Sequence, residues 1–205
     1  MRQILVDWLI EVHLKFKMKA HTLFISVNLI DRFLSKVLVE RNQLQLVGIT
    51  SLMIAAKYEE IYPPPIGDFV YITDNAYSKS ELILKELEIL TVLDFNVTFP
   101  ICFTFLERFL EKLNEDSFTK QYAHFLLDCS LLSMQTLDFK PSTQAAAAIY
   151  LTLKVRMRTC KVSSSNFQDS IETLICRELN MPPGSLRSCA EQLFNASNLI
   201  LSQNL

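Results

Sequence analysis

From Asn42 to Ala56 the chain carries no charged residue. Wound as a helix, Leu44, Leu46, Val47, Ile49, Leu52, Met53 and Ile54 leave no wide polar face. A helix apolar nearly all round is covered by neighbours on several sides. Gln43, Gln45, Thr50 and Ser51 interrupt the run, which falls short of the ~20 apolar residues a bilayer span needs. The pattern therefore predicts a central helix with others packed around it. Charge returns at Lys57, Glu59 and Glu60, and Pro63, Pro64 and Pro65 end the helix because proline offers no N–H.

Flanking segments supply the neighbours. Met1 to Met18 has helical spacing through Ile4, Leu5, Trp8, Leu9, Val12 and Phe16. Its apolar arc is wider than one core face requires. Either this helix has neighbours on two sides, or the part formed by Met1, Ile4, Leu5 and Trp8 stays exposed as a docking groove. Thr22 to Leu38 forms a second helix with Thr22 as a candidate N-cap. Ile66 to Thr73 makes one or two turns. Ser78-Lys79-Ser80-Glu81 is a capping box that starts a helix to Leu93, with an apolar stripe through Ile83, Leu87 and Leu90.

The second half repeats this plan. Helices are expected over Ile101 to Leu113, Ser117 to Met134, Pro141 to Leu153, near Phe167 to Leu179, and from about Gly184 to Leu201. Pro141 to Leu153 is again charge-free and ends at Lys154; its proline sits in the first turn, where the missing N–H is harmless. A shift of about 97 residues lays Lys57 on Lys154 and Gly48 on Ala145. Small residues in mid-helix allow another helix to approach closely. The expectation is an all-α chain of two tandem five-helix repeats, residues 1–98 and 99–205, each built around an uncharged third helix.

Composition narrows the functions. Only three glycines occur, which disfavours turn-rich sheets. The net charge of −2 does not suit a general nucleic-acid or membrane binder. Cys102, Cys129, Cys160, Cys176 and Cys189 are odd in number and lack C-x-x-C spacing, and His13, His21 and His124 lack paired ligand spacing. No metal, cofactor or disulfide framework is expected, and a reducing compartment fits best. The first residues do not form a signal peptide. The sequons at Asn96 and Asn195 read as chance matches. No phosphate-binding loop, nucleophile elbow or metal motif supports an enzyme.

Several dense motifs, in order, resemble the cyclin box. Met1-Arg2-Gln3-Ile4-Leu5-Val6-Asp7-Trp8-Leu9 is similar to the signature that opens it. Asp31-Arg32-Phe33-Leu34, Leu44-Gln45-Leu46-Val47-Gly48, Lys57-Tyr58-Glu59-Glu60-Ile61-Tyr62-Pro63-Pro64 and Phe69-Val70-Tyr71-Ile72-Thr73-Asp74 continue the match. The resemblance is to mitotic cyclins of the A/B class, and Ile66-Gly67-Asp68-Phe69 leans towards B.

The resemblance implies a non-catalytic, activating subunit of a cyclin-dependent serine/threonine kinase acting at mitosis, in nucleus and cytoplasm. In such pairs the cyclin packs on the kinase αC helix and completes the kinase active site. It implies kinase contacts at Lys57, Glu86, Tyr58 and Phe95. From the residues alone, Lys57 reads as a solvated lysine and Glu86 as a neighbour of Lys85. It further implies a groove for R-x-L substrate and inhibitor segments at Met1, Ile4, Leu5 and Trp8, flanked by Glu11, Arg41 and Gln45. Arg2 and Asp7 are expected to tie the first helix to its surroundings. Arg2-x-x-Leu5 and Arg41-x-x-Leu44 resemble minimal degradation motifs but fall at helices and read as structural. Mitotic cyclins carry a long N-terminal tail before this signature, so the chain looks like a cyclin-box core, an excised or partial product. A related two-repeat module that binds DNA, like transcription factor IIB, would need a basic face.

Overall fold

The computed structural model describes residues 1–159, 165–182 and 184–203. Cys160 lies outside them. All regular structure among the described residues is helical, and the chain divides into two compact units, Met1–Phe99 and Pro100–Leu205.

The first unit contains α1 (Arg2–Lys15), α2 (Ala20–Leu34), α3 (Leu44–Glu59), α4 (Ile66–Ile72) and α5 (Lys79–Val92). The uncharged helix α3 is its hub, with α1, α2, α4 and α5 all packed on it. Every residue from Leu46 to Ala56 is buried. This is the all-round burial the pattern predicts, because no arc of α3 is polar enough to face water. Gly48 lies against Leu5 of α1. A β-carbon at Gly48 would lie 2.7 Å from Cδ1 of Leu5. At the far end of α1, Phe16 meets Phe69 of α4 edge-on, with ring centroids 5.4 Å apart.

Two polar clamps fix the helices around this hub. Arg2 grips Asp31 of α2 through Nε–Oδ1 at 2.6 Å and Nη2–Oδ2 at 2.8 Å. Asp31 is thus the acid that ties α1 down, whereas Asp7 is exposed on α1. The start of α2 also departs from the local pattern. Thr22 lies inside the helix, whose N-cap is Lys19. The capping carboxylate comes from across the fold: Glu60 Oε1 accepts from the Lys19 N–H at 2.7 Å and from the Thr22 hydroxyl. A carboxylate is well placed at the positive end of a helix.

Local signals hold elsewhere. Ser78 and Glu81 form the capping box, with the Ser78 N–H donating to Glu81 Oε2 at 2.7 Å. The Ser78 N–H and the Ser78 hydroxyl, which also donates to Glu81 Oε2 at 2.7 Å, hold the Glu81 carboxyl below its usual range. The stripe on α5, however, faces the other way. Its core side is Leu82, Ile89 and Leu93, while Ile83 and Leu87 are exposed and Leu90 is half-buried. Both stripes have helical spacing, so periodicity alone does not choose between them.

The second unit contains α6 (Cys102–Leu113), α7 (Ser117–Leu131), α8 (Pro141–Thr159), α9 (Ser165–Leu179) and α10 (Arg187–Gln203). Helix α8 is its hub, packed on α6, α7, α9 and α10. Ala145 to Thr152 is buried without a break. Asp116 caps α7 by accepting from the Thr119 N–H at 3.0 Å, and Arg156 of α8 pairs with the same carboxylate at 3.0 Å.

Five helices end without glycine. At the ends of α1, α4, α5, α6 and α9 the left-handed position is filled by Lys17, Asp74, Asp94, Asn114 and Asn180. In each case the next N–H reaches back five residues, as Phe95 does to the Leu90 carbonyl at 2.7 Å. This is the Schellman arrangement, which satisfies the orphan carbonyls of a helix end. It accounts for a helical chain with so little glycine.

Candidate functional site

The charged cluster at the end of α3 divides in two. Glu59 and Glu60 turn to α2: Lys19 Nζ lies 3.1 Å from the Glu59 carbonyl and 3.3 Å from its Oε1. They are structural. Lys57 faces α5 instead, and its Nζ lies 2.7 and 2.8 Å from the two carboxylate oxygens of Glu86. The Lys57 side chain is 50% exposed and that of Glu86 18%. Lys57 therefore keeps donor capacity, and Glu86 lone pairs, for a further partner.

Two aromatic residues flank the pair. Tyr58 is exposed, and its hydroxyl lies 2.8 Å from Thr98 Oγ1. Phe95 stands in the turn that ends α5, 64% exposed. Asp94 and Phe95 are both left-handed, at φ 53° and 56°. A bulky residue there is uncommon, and such conformations persist only where the surroundings enforce them. Here Arg32 Nη1 donates to the Asn96 carbonyl at 2.9 Å, and Lys36 Nζ to the Val92 carbonyl at 2.9 Å. The Arg32 guanidinium also covers the Phe99 ring at 5.4 Å.

Beside Glu86 on α5 stand the exposed Ile83 and Leu87 and the half-buried Leu90. Sequence reasoning read these three only as a helix stripe. The signal that separates them from core was the rival stripe Leu82, Ile89 and Leu93 in the same helix. Lys57, Tyr58, Glu86 and Phe95 thus share the α3–α5 side of the unit. An ion pair among exposed apolar groups suits a partner that supplies both apolar contact and backbone hydrogen bonds.

The first helix presents a second surface. Met1 is 54% and Ile4 66% exposed, and Trp8 is half-buried. Leu5, read as part of the same arc, is only 7% exposed and packs towards Gly48. It underlies this surface. Glu11 is exposed one turn beyond Trp8. Arg41 is exposed in a short 3-10 turn, Arg41–Gln43, and Gln45 is half-buried in the first turn of α3. Gln45 precedes Gly48 by three residues, which places it on the side of α3 that meets α1.

Nucleophile chemistry finds little support. Cys102, Cys129, Cys176 and Cys189 are buried. Burial pushes the Cys102 and Cys189 thiols up to about 12 and Cys129 to about 11. Thiols held that high are neutral and unreactive at ordinary pH.

Comparison with known proteins places the chain in a family. The model of the cyclin N-terminal domain matches residues 1–98, and that of the cyclin C-terminal domain matches residues 100–201. Cyclin-B1-2 of Arabidopsis thaliana is 47% identical over 150 residues, covering 73% of this chain and 34% of that protein. The G2/mitotic-specific cyclin-B of Marthasterias glacialis is 46% identical over 155 residues, covering 76% of this chain and 40% of that protein. The chain therefore spans well under half the length of these curated relatives. Among solved structures, a viral cyclin from herpesvirus saimiri superposes with a TM-score of 0.76 at 19% identity, covering 95% of this chain and 85% of that one. At that identity the likeness speaks for the fold. Two tandem helical units around uncharged hubs, matched over residues 1–98 and 100–201 by the two cyclin domains, make this chain a member of the cyclin family.

Proposed function

We propose that the chain is the non-catalytic, activating subunit of a cyclin-dependent serine/threonine kinase at mitosis. The kinase αC helix docks on the α3–α5 face, where Lys57 and Glu86 orient it and Tyr58 and Phe95 receive its apolar side chains. The observation that carries this reading is the Lys57–Glu86 pair, set among exposed Ile83, Leu87 and Phe95. An exposed pair is worth only about 0.2–1 kcal/mol. Docked carbonyl and N–H groups can therefore replace it at small cost, and they gain charge-assisted hydrogen bonds. Such contacts bias the kinase towards the arrangement in which its own αC glutamate meets its phosphate-binding lysine.

The test is co-precipitation and activation of a mitotic cyclin-dependent kinase by the parent chain and by Lys57→Ala with Glu86→Ala. The double variant should bind at least about tenfold more weakly, a loss of ~1.4 kcal/mol. Equal binding and activation would refute the assignment.

The exposed Met1 and Ile4, with Trp8, Glu11, Arg41 and Gln45, are the proposed groove for R-x-L segments, with Leu5 as its floor. The Glu11 carboxylate is the group for the arginine of such a segment. Ile4→Ala with Glu11→Ala should reduce phosphorylation of an R-x-L substrate while sparing a minimal peptide; equal loss on both would count against the groove. The proposed location, nucleus and cytoplasm, is checked by imaging a tagged chain.

A further inference from the structure

Ser35 occupies an unusual place in the first unit. It is exposed at the C-terminal end of α2, and its hydroxyl donates to the Arg32 carbonyl at 2.7 Å. Its neighbours in sequence, Arg32 and Lys36, are the two cations that hold the turn at the end of α5. Arg32 donates to the Asn96 carbonyl and Lys36 to the Val92 carbonyl, both at 2.9 Å. Between those carbonyls lie Asp94 and Phe95 in left-handed backbone. One short stretch of chain, Arg32 to Lys36, therefore controls a strained turn 56 to 64 positions away.

Arg32-Phe33-Leu34-Ser35 also places an arginine three residues before an exposed serine, a pattern that arginine-directed kinases use. Beyond Ser35 the chain leaves the helix, and Leu38 is fully exposed.

We propose that Ser35 is a phosphorylation site that releases the Phe95 turn. The modifying enzyme transfers the γ-phosphoryl group of ATP. The bond from the γ-phosphorus to the bridging oxygen breaks, a bond to Ser35 Oγ forms, ADP leaves and the hydroxyl proton passes to the enzyme's base. The product places two negative charges at the C-terminus of α2, where the helix dipole opposes them. The cations closest to it in the sequence are Arg32 and Lys36. A phosphate offers them stronger, charge-assisted bonds than a carbonyl does. Drawn to it, they leave the Val92 and Asn96 carbonyls, and the turn loses its outside support. The consequence for kinase binding rests on the docking face proposed above. The release of the turn does not.

The test uses the full chain in a Thr159→Ala background, which removes the Arg-x-x-Thr pattern at Arg156-Met157-Arg158-Thr159. The chain is treated with ATP and the catalytic subunit of cyclic-AMP-dependent protein kinase, and the site is mapped by mass spectrometry. Amide hydrogen exchange is then measured from Val92 to Val97. Phosphate on Ser35, with exchange at Phe95 and Asn96 at least about tenfold faster, supports the proposal. Ser35→Ala should remain unmodified, with the parent's exchange rates. Arg32→Gln with Lys36→Gln should speed exchange at the same amides without any phosphate. No modification of Ser35, or modification with unchanged exchange, overturns the proposal. If exchange quickens but a mitotic kinase still binds as tightly, the release stands and the Phe95 docking assignment fails.

Discussion

Arg2 and Glu60 do the work of holding the first unit's helices in register, each through bonds to a residue far away in sequence. The Arg2–Asp31 clamp is bidentate and mostly shielded, with side chains only 12% and 20% exposed. Hydrogen bonds to charged groups contribute about 1.5–3 kcal/mol, and removing one partner strands the other. Arg2→Ala should therefore lower stability by about 2 kcal/mol in urea unfolding. Asp7→Ala should change it by less than ~0.5 kcal/mol, as expected for an exposed position. The contrast tests whether Asp31 rather than Asp7 anchors α1. These pairings were not legible in the sequence, because Glu60 caps a helix that begins 40 residues earlier and no local pattern records that. The same holds for Leu5. Its spacing matches Met1 and Ile4, and only the approach of Gly48 shows that it is covered.

Helices α3 and α8 carried their identity openly, since a charge-free run leaves one place to go. The capping box of α5 was equally plain, as both of its bonds close within four residues. The core side of α5 was less legible, since two apolar stripes compete for it. Close packing at Gly48 yields a direct prediction. Gly48→Val drives a branched side chain into Leu5 and should destabilise by about 1–3 kcal/mol, read as a lower Tm. Leu5→Ala should recover part of that loss in the double variant, because it removes the atoms that clash. The helix ends yield the opposite sign. A non-glycine residue in the left-handed region costs about 1–2 kcal/mol. Lys17→Gly and Asn114→Gly should each raise stability by up to about 1 kcal/mol, offset by the larger backbone freedom glycine brings to the unfolded chain. A fall in Tm for both would mean that their side chains hold the caps.

Each unit of the whole molecule repeats one plan, a hub that is third of five helices. The repeat was visible because hub and flanking periodicity recur, while the exposure of Ile83 and Leu87 on α5 was not, since spacing alone does not separate them from the core stripe. The same buried setting governs the cysteines. With thiols pushed up to about 12 at Cys102 and Cys189 and to about 11 at Cys129, a Cys160→Ser chain should react only slowly with a thiol reagent at pH 8 and rapidly in denaturant. Fast reaction in the native state would show that the second unit opens.

The uncharged hub also sets a schedule for synthesis. Helix α3 leaves the ribosome with α1 and α2 made, but α5 is finished only at Val92. At about 5–20 residues per second, one face of α3 waits roughly 2 to 7 s for its cover. A chain released at Thr73 should therefore pellet on centrifugation, and one released at Phe99 should stay soluble and helical by circular dichroism. The second hub waits roughly 2 to 9 s at the same rate while α9 and α10 are still to come. A newly made chain thus passes two windows in which its stickiest helix is bare, and those windows are where a chaperone that binds apolar segments would engage it.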